Sequence, residues 1–145
     1  MRKPVIEIEW PKIEIIVEAV ALDYNKKYAE QFFESLPFKT IQLHAMVTGE
    51  LIYSYCPLNP IENMHLAEKR LRIHKLPPGY ISWGGLGLVG IKYGPCTEPL
   101  RTQPIAQIPE RFHVDLKRAG RATWEAMFNT KEKLIVEFRK KGGGR

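Results

Sequence analysis

Polar and apolar residues alternate from the start of the chain. Ile6, Ile8 and Trp10 interleave with Glu7 and Glu9 over residues 5–10, the period of two that predicts a half-buried strand. Pro11 interrupts the run, and residues 13–20 predict a second strand. The period then changes. Ala29, Phe32, Phe33 and Leu36 stand at i, i+3, i+4 and i+7, which predicts a helix capped by Asp23 or Asn25 and ended by Pro37. Residues 39–46 and 51–56 predict a hairpin around Val47-Thr48-Gly49-Glu50. A loop follows, with a helical turn near residues 62–68, a short strand at 70–74 and a turn at Leu76-Pro77-Pro78-Gly79. Residues 80–83 and 86–93 predict glycine-bearing strands. Residues 109–128 predict helix broken in two at Gly120, and 134–138 a closing strand. The expected fold is mainly β: a small closed barrel with two helical segments at its openings.

The hairpin carries the chemistry. With a four-residue loop at 47–50, Met46 faces Leu51, His44 faces Tyr53 and Gln42 faces Tyr55. Ile41, Leu43, Ala45 and Ile52 then face a core, and Gln42, His44, Tyr53 and Tyr55 share the other side, about 5 Å apart across the strands. Glu50 stands at the turn beside them. Imidazole, with an ordinary pKa of about 6.5, exchanges protons at neutral pH, and a neighbouring carboxylate can orient it. His44, Glu50 and Tyr53 are therefore the catalytic candidates. The alternative is a plain polar sheet face.

Other signals are weaker. Gly85-Leu86-Gly87-Leu88-Val89-Gly90 spells a dinucleotide-binding motif, but Ile91-Lys92-Tyr93-Gly94-Pro95 after it predicts strand and turn, not the helix that motif needs. The histidines at 44, 65, 74 and 113 form no metal-ligand spacing, and no nucleophile elbow is present, so no metal and no cofactor are expected. Cys56 and Cys96 are too few for a disulfide framework and are expected to be reduced thiols of a cytoplasmic protein. The start, Met1-Arg2-Lys3-Pro4, does not resemble a secretory signal, and no run is apolar for the roughly 18 residues a membrane span requires.

The chain is 145 residues long, 44% hydrophobic and 26% charged, as expected of one globular domain over 1–145. Its net charge is +6, and residues 101–145 hold 11 basic against 5 acidic residues, partly in a basic, glycine-rich tail at 139–145 that is expected to be flexible. The surplus favours an anionic small molecule over nucleic acid, since the basic residues do not interleave with aromatics on one strand face. A homo-oligomer stays open.

Leu36-Pro37-Phe38, His44-Ala45-Met46-Val47-Thr48-Gly49-Glu50, Pro78-Gly79-Tyr80-Ile81, Tyr93-Gly94 and Gly120-Arg121-Ala122-Thr123-Trp124-Glu125 resemble, in this order, a prokaryotic family of cyclophilin-like domains of unknown function. The resemblance spans about residues 5–138; Met46 and Val47 stand where the family often has Arg and Trp. It implies a cyclophilin-like barrel without the Arg, Phe and Gln context of the prolyl isomerases. It also implies kinship with the cyclophilin-like part of cucumopine and mikimopine synthases, which condense histidine with 2-oxoglutarate in a Pictet–Spengler-type ring closure. Such chemistry needs acid–base groups and cations for carboxylates. His44, Glu50 and Tyr53 are candidates for the first, and Arg72, Lys92 or Arg118 for the second. The expectation is a cofactor-independent small-molecule enzyme, with a non-catalytic small-molecule or peptide-binding barrel as the alternative. Its ligand is expected between the two hairpins, over Gly84, Gly85, Gly87 and Gly90. Gln42, Tyr55, Trp83, Tyr93 and Glu125 border it, and Trp124 serves more as a core anchor.

Overall fold

The computed structural model describes residues 3–84 and 87–142. The elements are β1 (Val5–Trp10), β2 (Ile15–Ala21), α1 (Lys26–Glu34), β3 (Phe38–Ile41), β4 (Leu43–His44), β5 (Gly49–Tyr55), β6 (Leu71–Arg72), β7 (Tyr80–Gly84), β8 (Leu88–Cys96), β9 (Arg101–Thr102), β10 (Pro104–Gln107), α2 (His113–Glu125) and β11 (Ile135–Lys140). Among the described residues nine strands form one sheet in the order β3-β11-β1-β2-β10-β7-β8-β5-β4, and β6 pairs with β9 beside it. Every pairing is antiparallel. The edge strands β3 and β4 are consecutive in sequence, separated by Gln42 alone, so the sheet is a nearly closed barrel.

Gln42 is the seam. Its backbone N–H donates to Leu134 O at 2.7 Å on one side, and its side-chain Nε2 donates to Tyr53 O at 2.9 Å on the other. Its Oε1 accepts from Trp10 Nε1 at 2.9 Å inside the barrel. The run expected as one strand over 39–46 is therefore two strands that change partner at Gln42. Gln42, expected as a ligand contact, is buried and spends its amide on holding the barrel shut.

The alternating apolar residues fill the interior: Ile6, Ile8 and Trp10 from β1, Val17 and Ala19 from β2, Ile81 and Trp83 from β7, Val89 and Ile91 from β8, Val136 and Phe138 from β11. The helices close the two ends. Tyr28 and Phe32 of α1 pack on Trp83, with ring centroids 4.8 and 5.7 Å away, and α2 buries Leu116, Ala119 and Thr123 at the opposite end. Trp83, expected as a ligand wall, is a core residue with no exposed surface. Asn25 precedes α1 but does not cap it; its side chain bonds Lys69 and Pro104 instead.

Several expectations need correction. Gly120 does not break the late helix, since α2 runs through it and widens into a π turn over Ala126–Thr130. Arg139 and Lys140 belong to β11 and not to a tail: Arg139 pairs with Glu7 at 3.0 Å and Glu9 at 2.8 Å. Strand β10 had no alternation to announce it, because Pro104, Ile105 and Ala106 are all buried, and β9 is only two residues long. Gly85 and Leu86 of the glycine motif lie outside the described residues, as do 1–2 and 143–145; Gly87 onward leads into β8, not a helix. No helix among the described residues is long and apolar enough to cross a membrane.

Candidate active site

The register of the β4–β5 hairpin decides which side chains meet. Leu43 pairs with Tyr53, His44 pairs with Ile52, and Ala45 N–H donates to Leu51 O, so the loop is residues 46–50, one longer than expected. A one-residue slip moves side chains to the other face. His44 therefore points inward with Ile52, while Tyr53 and Tyr55 point outward with their rings 6.4 Å apart. Neither tyrosine joins His44. Glu50 has the inward parity of Ile52 and lies where the β5–β8 register shifts between Gly49 and Leu51, a bulge that re-aims side chains.

His44, Glu50 and Tyr93 meet at the α2 end of the barrel and line a cavity of about 430 Å³ with Ala45, Met46, Val47, Gly49, Arg121, Trp124 and Glu125. His44 Nδ1 lies 2.7 Å from Ala45 O, and Nε2 lies 2.6 Å from Tyr93 Oη. A carbonyl only accepts, so Nδ1 carries the proton and Tyr93 donates its hydroxyl to Nε2. Burial holds the His44 pKa below its ordinary value, against the opposing pull of Ala45 O and the Glu50 charge, so the ring is neutral. Burial and then the Glu50 charge push the Tyr93 hydroxyl up to about 12, so it keeps its proton. The pair is a proton-carrying unit with Tyr93 Oη at the cavity wall.

Two glycines make the space. A Cβ on Gly94 would sit 2.3 Å from Glu50 Oε1, and one on Gly120 would sit 2.4 Å from Tyr93 Cε1. Gly94 thus receives the carboxylate, and Gly120 lets the tyrosine ring lie against α2. Glu50 Oε1 is buried with no hydrogen-bond partner, 4.0 Å from Lys117 Nζ, while the side chain as a whole is 36% exposed toward the cavity. A half-desolvated carboxylate beside a neutral imidazole–phenol pair can take a proton at one point and supply one at another.

Helix α2 supplies the outer wall. Arg121, Trp124 and Glu125, at i, i+3 and i+4, face the cavity together. Trp124 is 42% exposed and packs edge-on over His44 at 4.9 Å, so it is a cavity wall and not a core anchor. Arg121 was missed as a site residue, although its spacing from Trp124 and Glu125 was the available signal. The three cations expected to hold carboxylates lie elsewhere. Arg72 donates to Pro99 O at the surface, and Arg118 pairs with Asp115. Lys92 is buried on the outer side of β8, its ammonium held by the carbonyls of Ile73, His74 and Leu76.

The fold is a cyclophilin-like barrel, and His44, Glu50 and Tyr93 line a cavity under its late helix. Among solved structures, McbB in complex with tryptophan has this fold, with a TM-score of 0.91 and 32% sequence identity over 97% of this chain. The chain spans 46% of the length of McbB, so it is similar to about half of that protein. It matches no protein-family model and no curated protein.

Proposed function

We propose that the chain is a small-molecule enzyme that uses acid–base chemistry to condense an amine-bearing aromatic metabolite with a carbonyl compound. The observation that carries the reading is the Glu50 carboxylate, with one oxygen buried and free of hydrogen bonds 4.0 Å from Lys117 Nζ, in one cavity with the His44–Tyr93 pair. The tryptophan held by McbB supports an aromatic amino acid or amine as one reactant. Arg121 suits its carboxylate, Glu125 its ammonium, and Trp124 its ring.

In this reading the amine nitrogen adds to the carbonyl carbon and passes one of its protons to the carbonyl oxygen, which then leaves as water by taking a second proton from Tyr93. A ring carbon of the substrate closes on the resulting iminium, and Glu50 removes the proton from that carbon. Proton exchange with solvent restores Tyr93 and Glu50. The product is the two reactants minus one water, with no change of oxidation state overall. The test is to incubate the protein with tryptophan, tryptamine or histidine together with 2-oxo acids and aldehydes, and to follow mass by liquid chromatography–mass spectrometry. Enzyme-dependent appearance of the sum of the reactants less 18 Da is expected. A ligand bound tightly without product over hours would favour the non-catalytic binding barrel instead.

A further inference from the structure

Positive charge is concentrated at one place away from the Glu50 cavity. Residues 69–75, Lys69-Arg70-Leu71-Arg72-Ile73-His74-Lys75, contain four Lys or Arg and no acid. They form β6 and the tight turn Ile73–Lys75, and β6 pairs with β9 over two residues only. A cavity of about 310 Å³ opens there, lined by Arg70, Leu71, Arg72, Lys75, Leu76 and Arg101. Four of these six residues are cationic and none is acidic. The volume suits a small ligand.

Two features set this patch apart from an ordinary solvated face. The first is repulsion built into the ladder. The register places Arg72 directly opposite Arg101, and like charges so placed on an antiparallel pair are destabilising. Among the described residues none of the four lining cations pairs with a carboxylate. Glu98, three residues before Arg101, is engaged by Thr48 Oγ1 at 2.6 Å, and neither it nor Glu68 lines the cavity. The second is a framework that holds the charges together. Arg72 Nη1 donates to Pro99 O at 3.0 Å, which fixes one guanidinium with most of its fork unspent. Ile73 N–H donates to Leu100 O at 2.7 Å and Thr102 Oγ1 donates to Leu71 O at 3.2 Å, so the two arginine-bearing segments are clamped beside the opposed pair. The carbonyls of Ile73, His74 and Leu76 are taken by the buried Lys92 ammonium, which adds a fifth positive charge behind the turn.

We propose that this cavity binds a diphosphate group, either on a small organic metabolite or as the free anion. A single carboxylate would neutralise one of the four charges, whereas a diphosphate brings several, on oxygens that planar guanidinium forks grip in pairs. The cations converge on one concavity that no aromatic residue lines, which fits a compact anion and not a nucleic-acid strand. The inference stands independently of the acid–base reading.

The test titrates pyrophosphate, inorganic phosphate, sulfate and ADP into the 15N-labelled chain at a constant ionic strength of about 0.15 M. Pyrophosphate is expected to bind at least about tenfold more tightly than phosphate or sulfate, with saturable shifts of the Leu71, Arg72 and Thr102 amides. ADP separates the two sources: it binds more tightly than pyrophosphate for an organic diphosphate, and no more tightly for the free anion. Arg101→Gln should weaken pyrophosphate about tenfold, yet melt no lower than the wild-type chain in anion-free buffer, because a repelling pair has been removed. Lys39→Gln, at an exposed position of β3, should leave the affinity within about twofold. Equal affinities for pyrophosphate and sulfate, an affinity that survives Arg101→Gln, shifts at Gly49, Glu50 and Gly94 instead, or a single-stranded oligonucleotide bound at lower concentration than pyrophosphate would each overturn the proposal. Lys75→Gln, on the surface turn, gives the same comparison if Arg101→Gln does not fold.

Discussion

Replacing Gly120 by alanine sets two effects of opposite sign against each other. Alanine in a helix interior is favoured over glycine by about 1 kcal/mol. At this position its Cβ would lie 2.4, 2.5 and 2.7 Å from Cε1, Cζ and Cδ1 of Tyr93. Carbon–carbon contacts settle near about 3.5–4.0 Å, so ring and helix must part by roughly 1 Å. The ring is 8% exposed and its hydroxyl is tied to His44 at 2.6 Å, so it has little room to retreat. Overpacking costs about 1–3 kcal/mol, and weakening the buried hydrogen bond adds about 1 kcal/mol. Gly120→Ala is therefore expected to destabilise by about 1–3 kcal/mol, a fall in Tm of roughly 3–10 °C. Thermal unfolding followed by circular dichroism, in the wild-type and Tyr93→Ala backgrounds, separates the effects. With the ring gone, Gly120→Ala should stabilise by about 0.5–1 kcal/mol. Stabilisation in the wild-type background, or the same change in both, would refute the packing argument.

Gln42→Leu should cost about 2–4 kcal/mol in urea unfolding, because it strands Trp10 Nε1 and Tyr53 O at the barrel seam. Lys92→Met leaves three carbonyls without their ammonium donor, and a loss of about 2–4 kcal/mol with an unchanged urea m-value is expected. The His44 pKa lies below the ordinary 6.5, so on acidification the unfolded chain binds the proton first. Stability should fall as pH drops from 6.5 through the folded value, and Tm measured over that window should fall less steeply in His44→Gln.

Much of the barrel was legible because its strands face two environments. Ile6, Ile8 and Trp10 are buried and Glu7 and Glu9 are not, so the pattern reports the fold directly. Strand β10 was invisible because its first three residues are all buried, and β3–β4 because a partner change at Gln42 leaves no mark on alternation. The candidate site was half legible. His44, Glu50, Tyr93 and Glu125 line one cavity, but Tyr53 and Tyr55 were assigned to it on a loop one residue too short. Hairpin parity is fragile in this way, since a bulge or a fifth loop residue reverses the faces without changing composition. Arg72, Lys92 and Arg118 show the limit of choosing cations by type: Arg72 and Lys92 are held by backbone carbonyls distant in sequence that no one-dimensional pattern reveals, and Arg118 is taken by Asp115 at i−3 on its own helix.

In the proposed condensation Glu50 removes the proton from the ring carbon that closes on the iminium. In the mass-spectrometric condensation assay, Glu50→Gln keeps the size and hydrogen-bonding shape of the side chain and takes away its basicity. A proton-removing role for Glu50 then gives a loss in kcat of about 10²–10⁴-fold, with KM changed by less than about threefold. A Glu50→Gln protein that forms product at the wild-type rate would contradict it.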